Sequence, residues 1–145
     1  MNSIIDRSNI HFFSEDVSFS IAKPNQYKKW VFKIASYHKT EIKALNYIFC
    51  SDSYLLQVNK EYLEHDYYTD IISFPYSEFP DPLEGDIFIS IDRVKENALD
   101  NQIAFEDELL RVMAHGVLHF LGFQDKSEKE SHLMRKKEEE MIELF

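Results

Sequence analysis

A single cysteine stands among the 145 residues, so no disulfide can form within the chain. Cys50 lies in the apolar run Tyr47-Ile48-Phe49-Cys50, where burial is expected rather than reactivity. Three glycines and four prolines leave no stretch that reads as a linker, an internal repeat or a low-complexity tract. No apolar run approaches the ~18 residues of a membrane span. The opening residues, Met1-Asn2-Ser3-Ile4-Ile5-Asp6-Arg7, lack the basic, apolar and small-residue succession of an export signal. The expectation is a cytoplasmic protein, neither exported nor membrane-embedded, and a length that suits one domain over residues 1–145.

Positive charge is also scarce. Sixteen Lys and Arg face 26 Asp and Glu, a net charge of -10. That excludes a general coat for nucleic acid, because sequence-independent binding rests on cations that neutralise phosphates. The charge is unevenly spread: residues 23–43 hold Lys23, Lys28, Lys29, Lys33, Lys39 and Lys43 against Glu41 alone, whereas residues 61–92 hold nine acids and no Lys or Arg. Lys28, Lys29 and Lys33 are candidate nucleic-acid contacts on a basic strip, and a solvated helix face explains them equally well.

The hydropathy pattern predicts an α+β fold. Residues 10–21 partly alternate, as a strand or an irregular strand pair. Residues 24–38 carry Tyr27, Trp30, Val31, Ile34 and Ala35 at helical spacing behind Pro24, with His38 at the surface end. A strand over 44–50 and a helix capped near Ser51 and running to about Leu63 follow. Residues 71–76 and 85–91 read as a strand pair joined by an acidic loop. Asp92 is expected to cap a third helix. A fourth carries Leu110, Met113, Ala114, Val117 and Leu121 as its core stripe, with Glu108, Arg111, His115 and His119 alongside. A charged helix from Ser127 to about Ile142 is expected to be largely exposed. These elements suggest a mixed sheet of about four strands flanked by helices, with the histidine helix against it.

The chemistry gathers in His115-Gly116-Val117-Leu118-His119-Phe120-Leu121-Gly122-Phe123-Gln124-Asp125. Histidines four apart share one helix face, so their imidazoles can share one metal ion. Gly122 can take the left-handed conformation that ends a helix, which would bring Asp125 back as a third ligand. His132 is the rival. The spacing H-x-x-x-H-x-x-G-x-x-D has the layout of a zinc-protease pattern, but Gly116 stands where such an enzyme holds its general-base glutamate. Two nitrogens and one carboxylate suit one zinc ion with a fourth position for water. An isolated His-x-x-x-His also occurs by chance, so it is the eleven-residue unit that carries the metal reading.

This unit resembles the H-G-x-L-H-L-x-G-Y-D-H segment of the YbeY family of zinc endoribonucleases. Two further blocks are similar and stand in family order: Val58-Asn59-Lys60-Glu61-Tyr62-Leu63 with Thr69-Asp70-Ile71-Ile72-Ser73-Phe74-Pro75, and Gly85-Asp86-Ile87. The resemblance implies metal-assisted cleavage of single-stranded RNA in ribosomal RNA maturation, small-subunit 3′ end processing and ribosome quality control. Ribosomal proteins or a GTPase are implied as partners. It departs twice: the third metal histidine is Asp125 here, and the arginine after Tyr62 is Leu63. A charged oxygen makes the ion a weaker acid than a neutral nitrogen does. Asp70 and Asp86 become catalytic candidates by block membership, against a turn or cap role for Asp70 and a strand-start hydrogen bond for Asp86. Arg111 is a candidate phosphate contact, against a surface ion pair with Glu108 or Asp107. The competing readings are a non-catalytic, zinc-stabilised ribosome-assembly factor and a zinc-dependent peptidase.

Overall fold

The computed structural model describes residues 9–145, so the opening segment read for an export signal lies outside the described residues. Strands β1 (Ile10–Ser14), β2 (Ile42–Cys50), β3 (Ile71–Pro75) and β4 (Leu83–Ser90) form one sheet in the order β1-β2-β4-β3. The first two and β4 run parallel, and β3 lies antiparallel to β4 as a free edge. Parallel neighbours need a crossover. Helix α1 (Pro24–Tyr37) supplies one between β1 and β2, while α2 (Asp52–Leu63) and β3 intervene between β2 and β4. Helices α3 (Ile91–Asp100), α4 (Phe105–Phe120) and α5 (Glu128–Ile142) complete an α+β fold with four strands and five helices among the described residues. Among the described residues, no helix is long and apolar enough to cross a membrane.

Alternate side chains of a strand point to opposite faces, and the two faces of this sheet are covered unequally. On one side Leu45, Tyr47 and Phe49 of β2 and Ile87 and Ile89 of β4 meet Trp30 and Ile34 of α1 and Met113 and Val117 of α4, all buried. Each buried aliphatic side chain contributes roughly 1.5–3 kcal/mol, so this face carries most of the stability. On the other side α2 covers a smaller cluster of Cys50, Leu55, Val58 and Ile72. The Trp30 Nε1–H donates to the Met141 carbonyl at 2.7 Å and ties α1 to α5.

Three expectations change. The first strand stops at Ser14, and residues beyond it close the core as a loop: Phe19 packs edge-on against Phe49 and Phe105. Ser90, not Asp92, caps α3, its hydroxyl accepting from Arg93 N–H at 3.1 Å, while Asp92 accepts from the Asp52 N–H at the start of α2. Helix α5 opens on the expected Ser127, in a capping box with Glu130, and is largely exposed as expected; the change is that its buried stripe of Met134 and Met141 includes a carboxylate, Glu138.

Two glycines let α4 approach the sheet. A Cβ on Gly85 would stand 2.6 Å from both the Phe120 ring and the Phe74 carbonyl, and one on Gly116 would stand 3.0 Å from Ile71 and 3.1 Å from Ile87. The position of the missing protease glutamate is therefore a helix–sheet contact, where a Cβ would already press on two isoleucine side chains.

Candidate metal centre

Helix α4 ends as a glycine stop dictates. Gly122 has φ +99, its N–H donates to the His119 carbonyl, and Phe123 N–H reaches back to Leu118 at 3.0 Å. This paired closure reverses the chain within three residues and returns Asp125 to the histidine face. The Nε2 atoms of His115 and His119 stand 2.9 Å apart, and Asp125 Oδ2 lies 3.2 Å from the first and 3.4 Å from the second. A tetrahedral ion with bonds of about 2.0–2.1 Å has ligand–ligand edges of about 3.3 Å, close to this triangle. His115, His119 and Asp125 form a group that could hold one metal ion. His132 is exposed and takes no part in that group.

The donor chemistry also fits. Glu138, 2% exposed, accepts a hydrogen bond from His115 Nδ1 at 2.7 Å, which places the proton on that nitrogen and turns the Nε2 lone pair towards the triangle. Burial first, and then His115, push the His119 pKa below the ordinary imidazole value, against Asp125 and a backbone hydrogen bond at Phe123. A neutral His119 suits a ligand. Two Nε2 lone pairs and a carboxylate oxygen converging at this distance have need of a cation.

Behind the histidines runs a buried charge network. Arg111 donates from Nε to Glu108 at 3.1 Å and from Nη2 to the second Glu108 oxygen, and its Nη1 reaches Glu138 at 3.3 Å. Glu108 is fully buried. Burial by itself would lower the Arg111 pKa, but hydrogen bonds and charge from Glu108, then Glu138, hold it above the ordinary guanidinium value. The sequence predicts the pair with Glu108 at the surface, but the packing of α4 and α5 buries it, and the sequence expectations do not include Glu138. Its signal was there to find, because Met134, Glu138 and Met141 recur at i, i+4 and i+7, placing a carboxylate on the apolar stripe of α5.

The group opens into a cleft of about 700 Å³ between α4 and the segment from Asn59 to Pro75. Arg111 and Asp70 line it, the Asp70 carbonyl accepting from Ser90 N–H at 2.9 Å. Asp86 does not: it follows Gly85 on β4, faces away from α4, and accepts from Asn46 Nδ2 and Tyr76 Oη, each at 2.9 Å. Its part is the strand hydrogen bond, because strand alternation puts it on the far face. Lys28, Lys29 and Lys33 do not border the cleft either; Lys28 lies over the Phe12 ring and Lys33 donates to the Leu144 carbonyl. Leu63 and Lys126 do border it.

Fold and site together define the class: a small α+β domain with a His–His–Asp group, able to hold one metal ion, at the wall of an open cleft, an arrangement shared by hydrolases that use a metal ion. The family described as Endoribonuclease YbeY matches residues 9–145. The chain is 51% identical over 135 residues to an Endoribonuclease YbeY of Cytophaga hutchinsonii, covering 93% of this chain and 94% of that one. It is 48% identical over 133 residues to another of Flavobacterium psychrophilum, covering 92% and 94%. A solution structure from Thermotoga maritima is similar with a TM-score of 0.66 at 26% identity, over 93% of this chain and 87% of that one. The chain belongs to the YbeY family of endoribonucleases, hydrolases that act on RNA.

Proposed function

We propose that this protein is a cytoplasmic, zinc-dependent endoribonuclease that cuts single-stranded RNA during ribosomal RNA maturation, at the 3′ end of the small-subunit RNA, and in ribosome quality control. Ribosomal proteins or a GTPase are its proposed partners. The observation that carries this reading is the His115–His119–Asp125 triangle facing an open cleft. Three protein ligands leave a position for water or a phosphate oxygen, whereas a structural zinc site closes with four.

His115 and His119 would hold one zinc ion through Nε2, and Asp125 through Oδ2. When bound, the ion supplies Lewis acidity, polarising a phosphate oxygen or lowering the pKa of water. The chain's own residues do the rest. Glu138 keeps the His115 proton on Nδ1, and Arg111 balances the Glu138 charge. Asp70, on the cleft wall, is the candidate to take the proton of the attacking water as its oxygen bonds to phosphorus, while the P–O bond to the ribose oxygen breaks and that oxygen takes a proton from solvent. Lys126 is the cleft cation available to phosphate, because the guanidinium of Arg111, which also lines the cleft, is taken up by Glu108 and Glu138. The α1 lysines and Asp86 are not carried into this reading, since they lie outside the cleft.

The peptidase reading loses its base at Gly116, where the Ile71 and Ile87 side chains occupy the space a glutamate would need. The assembly-factor reading is separated by experiment. Elemental analysis of chelator-free protein should give about one zinc per chain, and cleavage of an unstructured RNA should fall to background in folded His119→Ala and Asp125→Ala. Zinc with no wild-type cleavage would favour the assembly factor; absence of metal would sink both.

A further inference from the structure

On the wall opposite α4, no Lys or Arg lines the cleft for a phosphate to meet. Residues 61–92 contain nine acids and no Lys or Arg. That stretch therefore cannot grip RNA through its backbone charge. It displays rings instead: Tyr62, Tyr67 and Tyr68 are all more than half exposed. Exposed tyrosines scattered singly need no explanation. The arrangement of one pair does.

His65 and Tyr67 stack with ring centroids 5.2 Å apart and planes 21° from parallel. Both line the same cleft as His115, His119 and Asp125. The loop that carries them is held from beneath by Asn59, one of four buried polar or charged residues among the described residues and only 2% exposed. Its side chain donates to the Tyr67 carbonyl at 2.9 Å, and its own carbonyl accepts from the His65 N–H at 3.1 Å. A buried amide placed to fix two exposed rings at the lip of a cleft is a built feature, since burying it costs free energy unless its hydrogen bonds are met. Leu63 adds an apolar surface to the same wall.

We propose that the His65–Tyr67 pair, positioned by Asn59, is a stacking platform for an unpaired base of the RNA substrate. The inference rests on the endoribonuclease reading and supplies its strand preference. A base in a duplex has both faces covered by its neighbours, so only a single strand can lay one on the tyrosine. Stacking is tolerant of sequence, because every base has a π-face. The cleft then holds RNA by two different means: charge and metal ligands on α4 and the turn that follows it, and a ring on the opposite wall.

The test uses a fluorescein-labelled, unstructured RNA of about twelve nucleotides, the length covered by single-strand grooves. Full-length wild type, Tyr67→Ala and Tyr67→Phe are loaded with zinc, and their binding is followed across a salt series. Zinc content and circular dichroism check each variant. Tyr67→Ala should bind about tenfold more weakly. The slope of affinity against salt should stay unchanged, because losing a stack releases no counterions. Tyr67→Phe should bind as wild type does, and replacing successive bases of the RNA by abasic sites should weaken wild-type binding at one position and leave Tyr67→Ala indifferent there. Wild-type binding matched by Tyr67→Ala overturns the platform alone, as does a changed salt slope. A wild type that neither binds nor cuts the RNA overturns the endoribonuclease reading beneath it.

Discussion

The α4–α5 wall of the cleft packs charge against charge away from water, whereas the wall from Asn59 to Pro75 keeps its rings and acids at the surface. In the first, Glu108, Arg111, Glu138 and His115 form one chain of hydrogen bonds, and both glutamates are buried. In the second, a single buried amide, Asn59, anchors a loop of exposed side chains. Rigidity is needed where ligand atoms must converge to within a few tenths of an ångström. Accessibility is needed where a mobile strand of substrate must find a surface. Burial makes an ion pair stiff and costly to break; exposure makes a ring available and cheap to replace.

The contrast is tested most severely at Arg111. Arg111→Ala leaves buried Glu108 without its cation and Glu138 with only the longer Arg135 contact at 3.7 Å, and should cost about 3–5 kcal/mol, read as a lower urea midpoint. A loss below about 1 kcal/mol would mean that the wall is wetter than its burial implies. Glu138→Gln keeps the side-chain volume but removes the charge behind His115, so zinc affinity in a chelator competition should fall tenfold to a hundredfold. Unchanged affinity would show that the carboxylate has no hold on the ligand. Asn59→Ala strands the Tyr67 carbonyl and should lower stability by about 1–2 kcal/mol. Hydrogen exchange should then speed up in residues 64–70 and not in α4. The smallest effect belongs to Lys60, whose 3.5 Å pair with Asp66 is exposed on both sides. Lys60→Ala should change stability by less than about 0.5 kcal/mol.

Much of the metal group was legible in the order of residues because its geometry is local. A helical turn aligns His115 with His119, and Gly122 supplies a left-handed stop that only a residue without Cβ adopts freely. The strand pair, most of the helices and their sheet followed from hydropathy period in the same way. Residues 15–21 did not, since their apolar side chains serve a loop that caps the core as well as they would serve a strand. The cap of α3 was misassigned by two residues because Ser90 and Asp92 are both good caps, and the packing of α2 beside α3 decides which helix each serves.

What the sequence by itself determined is thus the set of short-range relations: periods, caps, the glycine turn, and a histidine pair with a carboxylate close behind. Tertiary structure alone decided the rest. Glu138 lies 23 residues from the histidine it orients, and only the packing of α5 on α4 makes its charge count. Strand alternation sent Asp86 to the far face while Asp70 lines the cleft, although both belong to motif-like blocks. The lysines of α1 were placed by their helix away from the cleft. In each case the deciding quantity is a distance across the fold or a side of the sheet, and the sequence sets neither until the core has closed.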